Sequence, residues 1–293
     1  MPSRFSFLST VVSPAIMLSL VMTSCQLPEN SQRWTRSANG QPTVRRAQSA
    51  GQEALFPTAT GFNVPLHAVT LNDTARLLAG LQPMGQDSFP AVRGSSGWAN
   101  HKNKLDTLWS DFSWRHEQPI QNWAAMQIPD LQASPALFYP FSGPDFLFAN
   151  LFFPNADTVV LCGLEPCEPL PPIAQLTAGE MEGGLDGLVT SISTAMQFSF
   201  FITKDMRRDL VSTRFRGVLP LILTFMARSG HVVESIDLVK IDVSGSPVLV
   251  SGSTGSAPGA VIRAIGPNGV MKRVFYFRQD LSNDGIKAGS PFL

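Results

Sequence analysis

Leu137–Pro172, LFYPFSGPDFLFANLFFPNADTVVLCGLEPCEPLPP, is the stretch whose reading decides the fold. Leu137 to Phe141 is an apolar run of strand length, and Ser142-Gly143-Pro144-Asp145 supplies a turn. Asp145 stands where a helix N-cap belongs, because a carboxylate there accepts first-turn amides that have no partner inside the helix. The helix it opens runs from Phe146 to Phe153, and Pro154-Asn155-Ala156-Asp157 stops it. Thr158 to Leu164 is short, β-branched and apolar throughout, the pattern of a parallel strand buried on both faces. The unit is β-α-β, and the prolines at 166, 169, 171 and 172 turn the chain away at a Glu165-Pro166 corner.

Outward from this unit, the N-terminal side is helical. Asn72-Asp73 are good N-cap residues for a helix running to Gly80, and the Gly/Pro/Ser stretch 82–97 is a loop. From Trp98 onward Leu105, Leu108, Trp109, Phe112, His116, Ile120 and Trp123 recur at helical spacing, with Pro119 expected to kink or split the helix. On that spacing the aromatics Trp109, Phe112 and Trp123 are core rather than a ligand-stacking box. On the C-terminal side, Leu185, Leu188, Val189, Ile192, Met196 and Phe200 outline an amphipathic helix. A second helix spans about 213–229 and ends at Gly230. The register then changes to period two at Ile236, Leu238, Ile241 and Val243, a Gly/Ser-rich loop follows, and VIRAI-GPNG-VMKRVFYF reads as a β-hairpin turning at Asn268-Gly269. These elements predict an α/β domain over residues 64–293, with a mixed sheet, N-terminal helices and a C-terminal β-hairpin. Ser290-Pro291-Phe292-Leu293 reads as the start of a further element, so a C-terminal truncation is expected.

Charge is sparse. Only 15% of the 293 residues are Asp, Glu, Lys or Arg, against a usual share of about 25%. Lys plus Arg equals Asp plus Glu at 22 each, which leaves no global field for a polyanion. The densest basic run, Lys204, Arg207, Arg208, Arg214 and Arg216, reads as a solvated helix face, and no nucleic acid is expected as partner.

Residues 1–25 are a targeting segment: Arg4, an apolar run from Phe5 to Met22, then Thr23-Ser24-Cys25. A small residue directly before a cysteine at the end of such a segment resembles the lipobox of bacterial lipoproteins, with Met at position 22 where Leu is commonest. The resemblance implies that Cys25 is acylated and becomes the mature N-terminus. Gln26 after it, rather than Asp, implies sorting to the outer membrane, with the domain facing the periplasm. A cleaved signal peptide and a retained transmembrane helix are the alternatives, the latter weakened by Pro14. Residues 26–63 then read as a flexible tether with Trp34 as its one large anchor. An exported domain lacks routine access to ATP, NAD or S-adenosylmethionine and sits where disulfides persist.

The β-α-β at 137–165 resembles the first unit of Rossmann-like methyltransferases, in which a Gly-containing turn follows the first strand and an acidic residue ends the second. Gly143 and Glu165 are 22 residues apart, near the ~20 at which a carboxylate reaches a ribose hydroxyl. The resemblance implies a ligand site at Ser142, Gly143, Asp145 and Glu165. It departs from the family in having one glycine and in placing Pro144 where backbone approaches the cofactor. With export, a Rossmann-like core that has lost its cofactor fits better, and no cofactor is assigned.

Cys162 and Cys167 are spaced C-x4-C. None of the four histidines (67, 101, 116 and 231) falls nearby, so no metal site is assigned. A Cys162–Cys167 disulfide needs a sharp turn at Pro166 to bring the Cα atoms to about 4.4–6.8 Å; the other reading makes Cys162 a small buried apolar residue. There is no G-x-S-x-G elbow, and Ser142 has no assigned base. His231, after the Gly230 cap, is the most arguable lone catalytic candidate, although a lone histidine is more often structural; catalytic residues stay unassigned. The sequence reads as a lipid-anchored envelope protein in a binding or structural role, toward an envelope component or small molecule. The alternative is a Rossmann-like enzyme, methyltransferase-like or hydrolase, with its site at the 142–145/165 sheet edge.

Overall fold

The computed structural model describes residues 66–140, 143–198, 214–250 and 258–287. Cys25, the tether and Ser142 lie outside the described residues, as do Lys204, Arg207 and Arg208.

Helix α1 covers Leu66–Leu78, six residues earlier than the Asn72-Asp73 caps predict. Both side chains lie inside the helix and serve tertiary contacts instead. Asn72 Oδ1 accepts the Val233 amide at 3.1 Å, and Asp73 pairs with Arg93, both side chains being 4% exposed. Arg93 belongs to a short helix, α2 (Pro90–Arg93), within the expected 82–97 loop, and its guanidinium also holds Asp87 and lies over the Trp98 ring. Ser95 N-caps α3 (Ser96–Phe112) by accepting the Trp98 amide.

Pro119 does not break the following helix. A π-helical turn, Ser113–Glu117, carries the chain into α4 (Gln118–Gln127), which places Pro119 in the first turn of α4, where a missing N–H is tolerated. Phe112 is buried. Trp109 and Trp123 are half-buried, Trp109 against the core beneath the Arg228 guanidinium and Trp123 edge-on to Phe152. After the short α5 (Pro129–Gln132) comes the β-α-β: β1 (Ala136–Tyr139), α6 (Phe146–Phe152) and β2 (Thr158–Gly163), with the strands parallel.

A 3-10 turn at Ile173–Gln175 leads to α7 (Ala178–Phe198), opened by a capping box in which the Thr177 and Glu180 side chains accept from each other's backbone amides. Arg214 clamps Glu180. α8 (Leu219–Arg228), buried from Leu219 to Ala227, ends at Gly230, whose φ of 80° gives the left-handed corner expected there. The remaining elements are β3 (Val232–Ile241), β4 (Pro247–Leu249), β5 (Gly259–Ile265), β6 (Met271–Arg278) and α9 (Asn283–Lys287). β4 falls inside the stretch expected as a Gly/Ser loop. Val243, expected to continue the alternation of β3, is fully exposed beyond its end.

The six strands form one mixed, curled sheet in the order β1-β2-β6-β5-β3-β4. β1, β2 and β6 are parallel; β5 and β6 form the hairpin, pairing Ile265 with Met271 across the Asn268-Gly269 turn. The main core lies on the sheet face carrying Val159, Leu161, Val274, Tyr276, Ala260 and Ile262, under α1, α6, α7 and α8. The opposite face carries a smaller cluster of Val239, Val261 and Phe277. Gly259 is required there: a Cβ would meet the Tyr276 carbonyl at 2.5 Å and the Phe277 ring at 2.6 Å.

β3 carries a bulge between Val233 and Ser235, and Asn72 supplies the acceptor that the local ladder does not. Asn72→Ala leaves the buried Val233 amide unpaired and is expected to cost about 1–3 kcal/mol in urea unfolding; a loss under 0.5 kcal/mol would show that this bond is dispensable.

Candidate functional site

The turn after β1 and the corner after β2 meet at the carboxyl edge of the parallel strands, where ligands bind in open α/β sheets. Gly143 adopts φ 60°, a conformation a side chain resists. A Cβ on it would stand 2.7 Å from Glu165 Oε2. A Cβ on Gly163, the last residue of β2, would strike the same carboxylate oxygen, the Gly143 Cα at 2.7 Å and the Tyr276 hydroxyl at 2.8 Å. The structure therefore brings Gly143 and Glu165 together, and adds Gly163 and Tyr276.

Glu165 is 1% exposed. Its carboxylate turns inward, where Oε2 accepts the Tyr276 hydroxyl at 3.2 Å, while the same hydroxyl lies 2.9 Å from the Glu165 carbonyl. Burial first, and then the neighbouring Glu165 carboxyl, raises the Tyr276 pKa above that of a free phenol. The tyrosine thus stays a donor at any ordinary pH.

Asp145 caps α6 as its position predicts, Oδ1 accepting the Phe148 amide at 3.1 Å. Its Oδ2 accepts the Tyr139 hydroxyl at 3.3 Å. The carboxyl is 1% exposed, and burial lifts its pKa to about 7 against the opposing pull of the Phe148 amide and the Tyr139 hydroxyl. The chain has two tyrosines, and each donates to one of these two buried carboxyls. Sequence reasoning passed over Tyr276 and Gly163. The inward alternation Val274, Tyr276 along β6 was the available signal for the tyrosine; nothing local marked the glycine.

Cys162 and Cys167 are free, buried thiols, their pKa values pushed by burial to about 11 and about 12. Neither has the depressed pKa of a reactive thiolate. His231 is buried against the edge of Phe146 rather than in a cleft. Among the described residues no three His, Cys, Asp or Glu side chains gather as a metal centre. A groove of about 370 Å³ lies between α3 and α7, lined by Lys104, Asp186, Val189, Thr190, Ser193 and Thr194, on elements other than those that carry Gly143 and Glu165.

At the sheet edge, Gly143, Pro144, Asp145, Phe146, Glu165 and Tyr276 are all buried. A ribose reaching Glu165 would need the volume already taken by the Gly143 backbone and the Tyr276 ring. Compared with protein-family models, with curated proteins and with solved structures, the chain matches none of them.

Two variants test this packing. Gly163→Ala forces a methyl into the Glu165–Tyr276 contact and is expected to destabilise by about 1–3 kcal/mol, read by chemical denaturation; a neutral result would mean that the corner is open. For Asp145, the folded carboxyl holds its proton to about pH 7, whereas the unfolded one releases it near 4. The native state binds more protons in that window, so this group's contribution falls as pH rises from about 4 to 7 and then levels. Asp145→Asn should remove that slope, worth up to about 4 kcal/mol at pH 8, in unfolding curves taken from pH 4 to 8.

Proposed function

We propose that this protein is an exported, lipid-anchored envelope lipoprotein whose globular domain serves a binding or structural role, with the Rossmann-like β-α-β as scaffold rather than cofactor site. One observation carries the second half of this reading. At the carboxyl ends of β1 and β2 the protein's own Glu165, Tyr276, Pro144 and Phe146 are buried, with the Tyr276 hydroxyl on the Glu165 carboxyl. A carboxylate engaged by an internal tyrosine is not presented to a ribose hydroxyl. The first half rests on the lipobox-like segment ending at Cys25. No helix among the described residues is long and apolar enough to cross a membrane. One acyl chain holds a protein only marginally, at about 0.8 kcal/mol per buried methylene, and several make the anchor stable.

The outer membrane is the proposed site, with the domain facing the periplasm. In metabolic labelling with palmitate, the wild-type chain should take up label and partition with outer-membrane vesicles. Cys25→Ala should do neither; equal labelling of the two would remove the anchor from the reading. S-adenosylmethionine added at millimolar concentration is expected to leave the melting temperature unchanged. A rise that Glu165→Gln abolishes would restore the enzymatic reading.

A further inference from the structure

His231 begins where the corner after α8 turns into β3 and is 2% exposed. Neither of its ring nitrogens has a hydrogen-bond partner, an uncommon state for a buried imidazole. The ring stands edge-on to Phe146 of α6, with centroids 5.3 Å apart and planes at 82°. The β5–β6 turn closes the other side, where a Cβ on Gly266 would lie 3.7 Å from Nε2. The same Phe146 ring faces the Lys272 ammonium of β6 at 6.0 Å. That ammonium is held at the C-terminal end of α6 by Asn150 Oδ1 at 2.9 Å and the Pro154 carbonyl at 3.0 Å, where the helix dipole favours a cation.

Three elements thus close around one imidazole: the α8–β3 corner, the β5–β6 turn and α6. We propose that His231 is an acid-operated latch, whose protonation expels the ring from this seat and frees the α8–β3 corner from the β5–β6 turn while the rest of the sheet stays paired.

The groups facing the ring account for its response. From α8 and its corner come the carbonyls of Met226 and Ser229, from β6 the Lys272 ammonium, and from α6 the uncharged Phe146. Asp157, ahead of β2, acts on Lys272. Among the described residues no carboxylate pairs with either cationic group, so a protonated imidazole would stand buried beside a second positive charge, with only the Met226 and Ser229 carbonyls to favour it. Burial, and then Lys272, depress the ring's pKa to about 4. A released ring has the ordinary value of about 6.5. The open form therefore takes up the proton first: the latch is fully closed above about pH 6.5 and weakens by up to tenfold per pH unit down to about 4.

His101 supplies an internal comparison. Its pKa is also held at about 4 by burial, but its Nε2 bonds the Leu78 carbonyl at 2.8 Å in the layer between α1 and α3. Acid acting there should loosen helices, not the hairpin turn.

Amide hydrogen exchange on the full chain at pH 7, 6 and 5, corrected for intrinsic rates, tests the latch. Amides at 231–233 and 266–270 should lose roughly tenfold protection between pH 6 and 5, with the β2–β6 ladder unchanged. His101→Gln should keep this response and His231→Phe should abolish it. Lys272→Met should raise the native ring's pKa, read from its carbon-bound proton resonances, and shrink the response. Where His231→Phe does not fold, the ring titration of the wild type decides: a native pKa near 6.5 overturns the latch. So does a loss of protection spread evenly over the domain, or one that persists in His231→Phe.

Discussion

The parallel pairing of β2 with β6 is the constraint on which the rest of the domain depends. β6 is brought against β2 from more than a hundred residues further along the chain, in register from Thr158–Arg273 to Gly163–Arg278. A parallel pair needs a long crossover, and here α7, α8, β3, β4 and β5 all lie within it. Because side chains alternate along a strand, this register places Lys272, Val274 and Tyr276 on the helix-covered face and Arg273, Phe275 and Phe277 on the other. A slip of one residue would drive Arg273 into the main core and remove Tyr276 from Glu165. The Asn268-Gly269 turn and the β2 pairing must therefore agree on one register, and they do.

α6 is the second dependency. Seven residues do not make a helix that holds by itself, so its ends are secured by polar groups. Asp145 caps the first turn, and Lys272 occupies the C-terminal end through Asn150 and Pro154. Both securing groups are buried, and burial moves both toward neutrality: Asp145 up to about 7 and Lys272 down to about 8. The short helix thus rests on two groups that titrate closer to neutral pH than their free counterparts. Phe146, its first residue, lies between the Lys272 ammonium and the His231 ring.

The β-α-β was legible in sequence because its signals are local: an apolar run, a capping aspartate, a proline stop and a β-branched run. The hairpin at Asn268-Gly269 and the corner at Gly230 were legible for the same reason. What failed to read was whatever depends on distant partners. Asn72 and Asp73 have the chemistry of caps, yet their acceptors serve Val233 and Arg93, so the start of α1 was placed too late. β4 has strand geometry only because Pro247–Leu249 can pair with the edge of β3; its Gly/Ser surroundings read as loop. Of the candidate site, Gly143 and Glu165 were brought forward by the resemblance to a Rossmann-like unit. Tyr276, 111 residues from Glu165, was invisible without the β2–β6 register.

That missing tyrosine changes what the candidate site means. A glycine turn and a terminal carboxylate are compatible with a ligand site only while the carboxylate faces outward. Gly143 and Gly163 lack Cβ atoms at the two points where one would collide with Glu165, so both glycines are used to let the carboxylate fold in. Once in, it meets a phenol whose burial keeps it protonated, a donor that needs an acceptor as much as Glu165 needs a donor. Satisfying both in one contact stabilises the join between the β-α-β unit and the C-terminal hairpin. Opening the crevice for a ligand would take the Glu165 carboxylate from its buried donor and leave the Tyr276 hydroxyl with the Glu165 carbonyl alone. Gly143 and Glu165, which resemble part of a cofactor site when read along the chain, act in three dimensions with Gly163 and Tyr276 as an internal cross-link.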